Sequence, residues 1–177
     1  MILAIGIGLV AVIALLLVVV ALQPGELRVE RKTTIDAPRQ VVFPMVRDLH
    51  VFDAWSPFGK LDPNIQKTFS GAAQGKGAVY AWAGDRTVGS GRMEITDERP
   101  NERVTMRLDF ITPFKATNTA DFTLTPAGNG TTVTWLMTGE KNFVSKAVGL
   151  FMNMDTMIGG EFEKGLAELK RLAEQKA

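Results

Sequence analysis

The sequence predicts an α+β domain in which one curved antiparallel sheet wraps around a long C-terminal helix, and three observations predict it. First, Met154, Ile158, Phe162, Gly165, Leu169 and Leu172 recur at steps of four and three, the spacing of one apolar stripe along a helix. Second, between Arg28 and Thr138 short β-rich runs alternate with Gly, Pro and Asn turns, as in an antiparallel meander. Third, those runs alternate apolar and polar residues, so the sheet has one dry face on which the helix stripe can lie.

In chain order, Met1 to Gln23 carries no charged side chain, and Ile2 to Leu22 is almost wholly Ile, Leu, Val and Ala. This run is long enough to cross a bilayer core as a helix and is read as a transmembrane anchor, residues 1–23. A cleaved signal peptide fits less well: the basic leader is missing, and Val19-Val-Ala21 is a poor cleavage site. Arg28, Arg31 and Lys32 follow the span with no Lys or Arg before it, which favours a cytoplasmic domain on a single-pass protein of a bacterial inner membrane. Pro24-Gly25 ends the apolar helix, and residues 24–177 form the folded domain.

Leu27, Val29, Arg31, Thr33 and Ile35 alternate with polar residues as a first strand. Asp36 or Ala37 caps a helix with Pro38 in its first turn, buried through Val41, Val42, Met45, Val46 and Leu49 and kinked at Pro44. Phe52 to Asn64 reads as an apolar loop. Six strands follow: Ile65 to Ser70, Ala78 to Ala83, Val88 to Thr96, Arg103 to Phe110, Ala116 to Thr125 and Thr131 to Thr138. Gly89 and Gly91 mark a bulge or bend, and Gly128-Asn-Gly130 is a hairpin turn. Phe143 to Asn153 reads as a short helix. Period two places Tyr80, Trp82, Val104, Met106, Leu108, Phe110, Val133, Trp135 and Met137 inside, with Asn118 the odd polar residue among them and Asp109 outside.

With 177 residues, a net charge of +1, no Cys and one His, several function classes fall away. No basic run suggests nucleic acid. Disulfides and thiolate metal sites are excluded, and no motif for a metal or another cofactor is present. A nucleophilic triad would depend on His50 as its base, and His50 reads as an exposed residue at the end of the first domain helix.

The order strand, helix, six-strand meander, C-terminal helix resembles the helix-grip fold of the START, Bet v 1 and polyketide cyclase (SRPBCC) superfamily. The likeness is carried by Ile35-Asp-Ala-Pro-Arg-Gln-Val-Val-Phe43, Trp55-Ser-Pro-Phe58, Leu61-Asp-Pro63, Val88-Gly-Ser-Gly-Arg-Met93, Pro100-Asn-Glu-Arg103 and Phe151 to Leu169. It implies an apolar cavity between sheet and C-terminal helix, in a superfamily mostly of carriers and binders with some enzymes. Fold alone does not decide among them.

The expected ligand-binding residues are Trp55, Phe58, Tyr80, Trp82, Phe110, Asn118, Trp135, Met137, Met154, Ile158 and Phe162, with Phe114, Phe151 and Met157 also inward. They either line a cavity or fill a core, and the pocket reading leads because ligand sites are concave, apolar and sparsely polar. The function so read is a membrane-tethered binding module for a small hydrophobic molecule or lipid, with no protein partner assigned. The alternatives are a cyclase-like enzyme using Asp53, Asp109 or Asp155, and a chaperone-like domain that binds proteins. Met154 to Phe162 would roof the cavity, and Gly159-Gly160 implies either a close approach of sheet or loop or a bend over an entrance.

Overall fold

The structure, a computed structural model, describes residues 2–141, 143–150 and 153–177, and the side chains of all of these except 2–5, 7, 9–12 and 144. Phe151, expected inside, lies outside the described residues. The elements are α1 (Ile2–Leu22), β1 (Glu26–Ile35), α2 (Arg39–Arg47), α3 (Leu49–Trp55), a 3-10 turn (Phe58–Lys60), β2 (Gln66–Gly71), β3 (Ala78–Ala83), β4 (Ser90–Arg99), β5 (Arg103–Thr112), β6 (Ala116–Ala127), β7 (Gly130–Glu140), α4 (Phe143–Gly149) and α5 (Met154–Glu174). All seven strands form one antiparallel sheet in the order β1-β7-β6-β5-β4-β3-β2. The first strand thus returns beside the last, and α5 lies along it.

The opening segment is helical, as read. Among the described residues, however, no helix is long and apolar enough to cross a membrane. The expected transmembrane anchor, the single-pass inner-membrane localisation and the membrane as a partner are corrected accordingly. The C-terminal end of α1 meets α4, where Val20 is buried and Lys146 Nζ donates to Ala21 O at 3.4 Å.

Two local expectations also change. The helix after β1 is two helices, because Asp48 ends α2 in an extended conformation and caps α3, its carboxylate accepting from His50 N and Val51 N. His50 therefore stands in the first turn of α3 rather than at a helix end, and its ring stacks on Phe69 at 3.8 Å. Phe52 and Trp55, expected in a loop, belong to α3 and are buried. Neither Asp36 nor Ala37 caps α2: Pro38 holds that position without a side-chain bond, and Asp36 N donates to Glu174 Oε1 at 2.8 Å, tying the end of β1 to the end of α5.

Register aligns the inner side chains into rows across the strands. Ile95, Met106, Ala120, Met137 and Val29 form one fully buried row. Val104, Phe122, Trp135 and Arg31 form the next. Over these rows α5 buries Phe162, Leu166, Leu169 and Ala173. Phe162 stacks on Trp135 with ring centres 3.9 Å apart and planes at 7°, while Trp55 and Phe122 close around the same indole at 5.7 and 4.8 Å. Gly165 lets the helix down onto this cluster: a β-carbon there would lie 3.0 Å from Pro57 and 3.1 Å from Trp135. Phe162→Ala should therefore destabilise the domain by about 3–5 kcal/mol, measured by urea unfolding, since it removes an aromatic ring from a close-packed site.

Candidate functional site

Two further rows lie toward the β1 start and β7 end of the inner face, and each has half-buried residues beside buried ones. Phe69, Tyr80, Met93, Leu108, Asn118, Gly139 and Leu27 make the first. Lys67, Trp82, Gly91, Phe110 and Ala116 make the second. Here Trp82, Leu108 and Phe110 are only half-buried although they point to the apolar side. Trp82 lies across Gly91, whose missing β-carbon would sit 2.5 Å from its ring, and meets Phe110 edge-on at 5.8 Å. The glycine pattern read as a bulge thus has two causes: register shifts occur beside Ser90 and near Ile95, and Gly91 clears space for the indole. At the β1 start and β7 end, Gly25, Glu26, Gly139, Glu140 and Lys141 line an open depression of about 650 Å³. Lys141 N donates to Gly25 O at 2.7 Å there, closing the strand ends.

The expected site residues separate into two groups. Trp55, Trp135, Met137 and Phe162 are buried in the packed core beneath α5. Tyr80, Trp82, Phe110 and Asn118 are on the two open rows. Phe58 is 36% exposed and meets Trp135 and Phe162 edge-on from the 3-10 turn; Met154 and Ile158 are half-buried on α5. Phe114 and Met157, expected inside, are exposed at 59% and 49%. Phe114 sits on the turn between β5 and β6, past the last paired residue, and Met157 lies one position off the buried stripe of α5.

Polar groups enter the apolar face at three places. Asp53 of α3 accepts from Tyr80 Oη at 3.1 Å and from Lys67 Nζ at 2.8 Å. Burial, and then the charge and hydrogen bond of Asp53, push the Tyr80 phenol well above its ordinary range, so it stays neutral. Gly59 of the 3-10 turn covers this pair closely, as a β-carbon there would lie 2.5 Å from Asp53 Oδ1. Asn118 is 7% exposed, and its Nδ2 donates to Met137 Sδ at 3.7 Å. Among the described residues Trp135 Nε1 is buried without a partner.

The third place is Arg31, which sequence reasoning did not single out. It stands on the inward parity of β1, and all five of its guanidinium N–H groups are used. Nε donates to Glu163 Oε1 at 2.7 Å, Nη1 to Glu30 O at 2.8 Å and Asp155 Oδ1 at 3.1 Å, and Nη2 to Asp155 O and Oδ2, each at 3.0 Å. The guanidinium occupies the space a side chain at Gly159 would need. The close approach foreseen at Gly159 is therefore a charged side chain from the sheet, and the signal that could have found it was an arginine in phase with Leu27, Val29 and Ile35.

Of the three acids considered for catalysis, Asp155 is committed to Arg31. Asp109 is on the outer face with Arg107 and Thr117, where burial raises its pKa but those two hydrogen bonds and the nearby arginines prevail and hold it low. Asp53 alone stands next to the open rows. No cluster of His, Asp and Glu among the described residues fits a metal.

A sheet wrapped on its C-terminal helix, with an apolar inner face open at one end, defines a helix-grip domain of the Bet v 1-like kind. The sequence profile described as polyketide cyclase/dehydrase and lipid transport matches residues 26–174, and the chain belongs to that family. Among solved structures it is similar to protein MLL2253 from Mesorhizobium loti, with 16% identity and a TM-score of 0.63 over 85% of this chain and 99% of that one. It is similar to the Aha1 dimer from Colwellia psychrerythraea, with 14% identity and a TM-score of 0.58 over 84% and 96%. Ara h 8.0201 gives 16% and 0.56 over 82% and 98%. At such identities the likeness is one of fold. No curated protein matches the sequence.

The hydrogen bonds from Arg31 hold the Asp155 carboxyl below its ordinary value of 3.8. A carboxylate depressed in the folded state stabilises it fully above the ordinary value, and that contribution is lost as pH falls through the folded one. Asp155→Asn should lower the melting temperature by a few degrees near neutrality, and the difference from wild type should begin to shrink only below pH 3.8 and vanish once pH has fallen past the lower folded value. A thermal melt series in citrate and phosphate buffers reads this directly.

Proposed function

We propose that this protein binds a small hydrophobic molecule or lipid on the two open rows of the inner face, between Tyr80 and Asn118, with Phe58, Met154 and Ile158 as its walls. The observation that carries the reading is the half-buried set Trp82, Leu108 and Phe110. Large apolar side chains on the dry face of a sheet are normally covered, and a partly covered aromatic floor with few polar groups has the composition of a ligand site. The family's description, which names lipid transport beside cyclase and dehydrase activity, supports the same reading. The core aromatics Trp55, Trp135 and Phe162 then serve as the foundation of the floor.

A second reading, catalysis on the bound molecule, is favoured by one observation. Asp53 touches Tyr80 at the edge of this floor, so a carboxylate able to move a proton stands beside the apolar surface. Turnover of an oxygenated apolar substrate that is lost in Asp53→Asn while binding persists would support it.

The binding reading is tested with an uncharged, environment-sensitive naphthylamine probe. Trp82→Ala and Phe110→Ala should each weaken the probe's affinity by about tenfold, the order expected for losing an aromatic contact. Ile111→Ser, on the exposed part of β5, should leave it unchanged. Equal affinity in all four proteins would place any binding elsewhere.

A further inference from the structure

Tyr80 and Asn118 stand in one row, separated by Met93 and Leu108. Three steps between neighbouring strands put the two backbone positions about 14 Å apart. Both residues are more than nine-tenths buried, at 5% and 7% exposure, as is Met93 at 8%, while Leu108 in the same row and Trp82 and Phe110 in the next are half-buried; the two residues between Tyr80 and Asn118 are apolar. Each is incompletely used. The phenol of Tyr80 donates to Asp53, which leaves the lone pairs of its own oxygen available, and Lys67 keeps ammonium protons beyond the one given to Asp53. At the other end, among the described residues, the amide N–H of Asn118 has as its side-chain partner the sulfur of Met137, a weak acceptor.

The charge at these ends narrows the ligand. Asp53 and Lys67 cancel each other, and Asn118 is neutral. Arg31, the cation nearest the core rows, has no N–H left to give. A carboxylate or phosphate arriving at Tyr80 would meet Asp53, and an ammonium would meet Lys67. A hydroxyl or carbonyl group has neither problem and can use the phenol oxygen, the ammonium protons and the amide.

Resting on the binding reading above, we infer that these two rows select an elongated, uncharged apolar molecule with a hydroxyl or carbonyl group at each end, one read by Tyr80 with Asp53 and Lys67 and the other by Asn118. Met93, Leu108, Trp82 and Phe110 form the floor for its apolar middle. The separation of the two polar ends acts as a ruler for its length.

The test is competition of straight-chain α,ω-diols of increasing length against the naphthylamine probe, with the matching mono-alcohols and dicarboxylates beside them. Wild type should prefer one diol length, and bind it about tenfold more tightly than its mono-alcohol, the worth of one well-made hydrogen bond; the dicarboxylate should be the weakest. Tyr80→Phe and Asn118→Leu, each checked for folding by near-ultraviolet circular dichroism, should bring the diol down to the level of the mono-alcohol. Affinity that rises with length without an optimum, a diol preference unchanged in both variants, or a dicarboxylate that binds best would overturn the inference. Probe that binds wild type with no diol preference sinks only this selectivity, whereas no probe binding at all removes the groove reading itself.

Discussion

The parallel stacking of Phe162 on Trp135 decides most of what this domain can do. Two aromatic rings 3.9 Å apart leave nothing between helix and sheet at that point, and Gly165 is the residue that permits the approach. Because Trp55, Phe52 and Phe122 surround the same indole, the middle of α5 is packed on the sheet through one continuous aromatic mass. Space for a guest must then be sought away from it, toward the N-terminal half of the helix and the strand ends beyond Tyr80 and Asn118. The deep rows supply stability and the open rows supply surface, and a single apolar periodicity encodes both.

The N-terminal half of α5 is held differently. Its apolar contacts thin out: Met154 and Ile158 are half-buried and Met157 is exposed, while Phe162, Leu166 and Leu169 are fully buried. What secures it is Arg31, whose side chain reaches both Asp155 and Glu163 across two turns of helix. Such a planar, multiply bonded cation fixes direction as well as position, which a methionine contact does not. Placing it on the inward side of an edge strand also puts a charge where a neighbouring chain would otherwise find a flat apolar edge.

How far this was legible in the sequence follows from what period and spacing encode. Alternation along β3, β5 and β7 put Tyr80, Trp82, Val104, Met106, Leu108, Phe110, Val133, Trp135 and Met137 on the inner face, with Asn118 of β6 among them, because one buried face leaves no freedom of register. The 154–172 stripe located α5 to within two residues of its end. Depth within the inner face was not legible. Trp82 and Trp135 have the same residue type and the same parity, yet one is half-open and the other is the centre of the core, and only the pairing register across β3, β4, β7 and β1 separates them. Arg31 was hidden for a related reason: its partners lie more than a hundred residues away, so no local pattern announces that a cation inside the grip is satisfied. The break at Asp48 is a capping signal that lies within four residues of Pro44, so one short stretch carries two breaks in the helix and residue spacing alone does not separate a kink from an end.

The polar content of the inner face then bears on specificity. A groove lined wholly by methionine and leucine would rank apolar guests by size alone, since area burial is non-directional. Here neutral or neutralised groups stand at two separated points, and the arginine between helix and sheet is fully consumed by its own protein. An unsatisfied buried donor or acceptor carries a larger penalty than a made bond returns, so on the proposed reading a guest that covers Tyr80 and Asn118 without matching their hydrogen bonds would be rejected more strongly than a matching one is rewarded. On the proposed reading, discrimination would come from two polar side chains set in an apolar floor, with the stacked core beneath them holding their spacing constant.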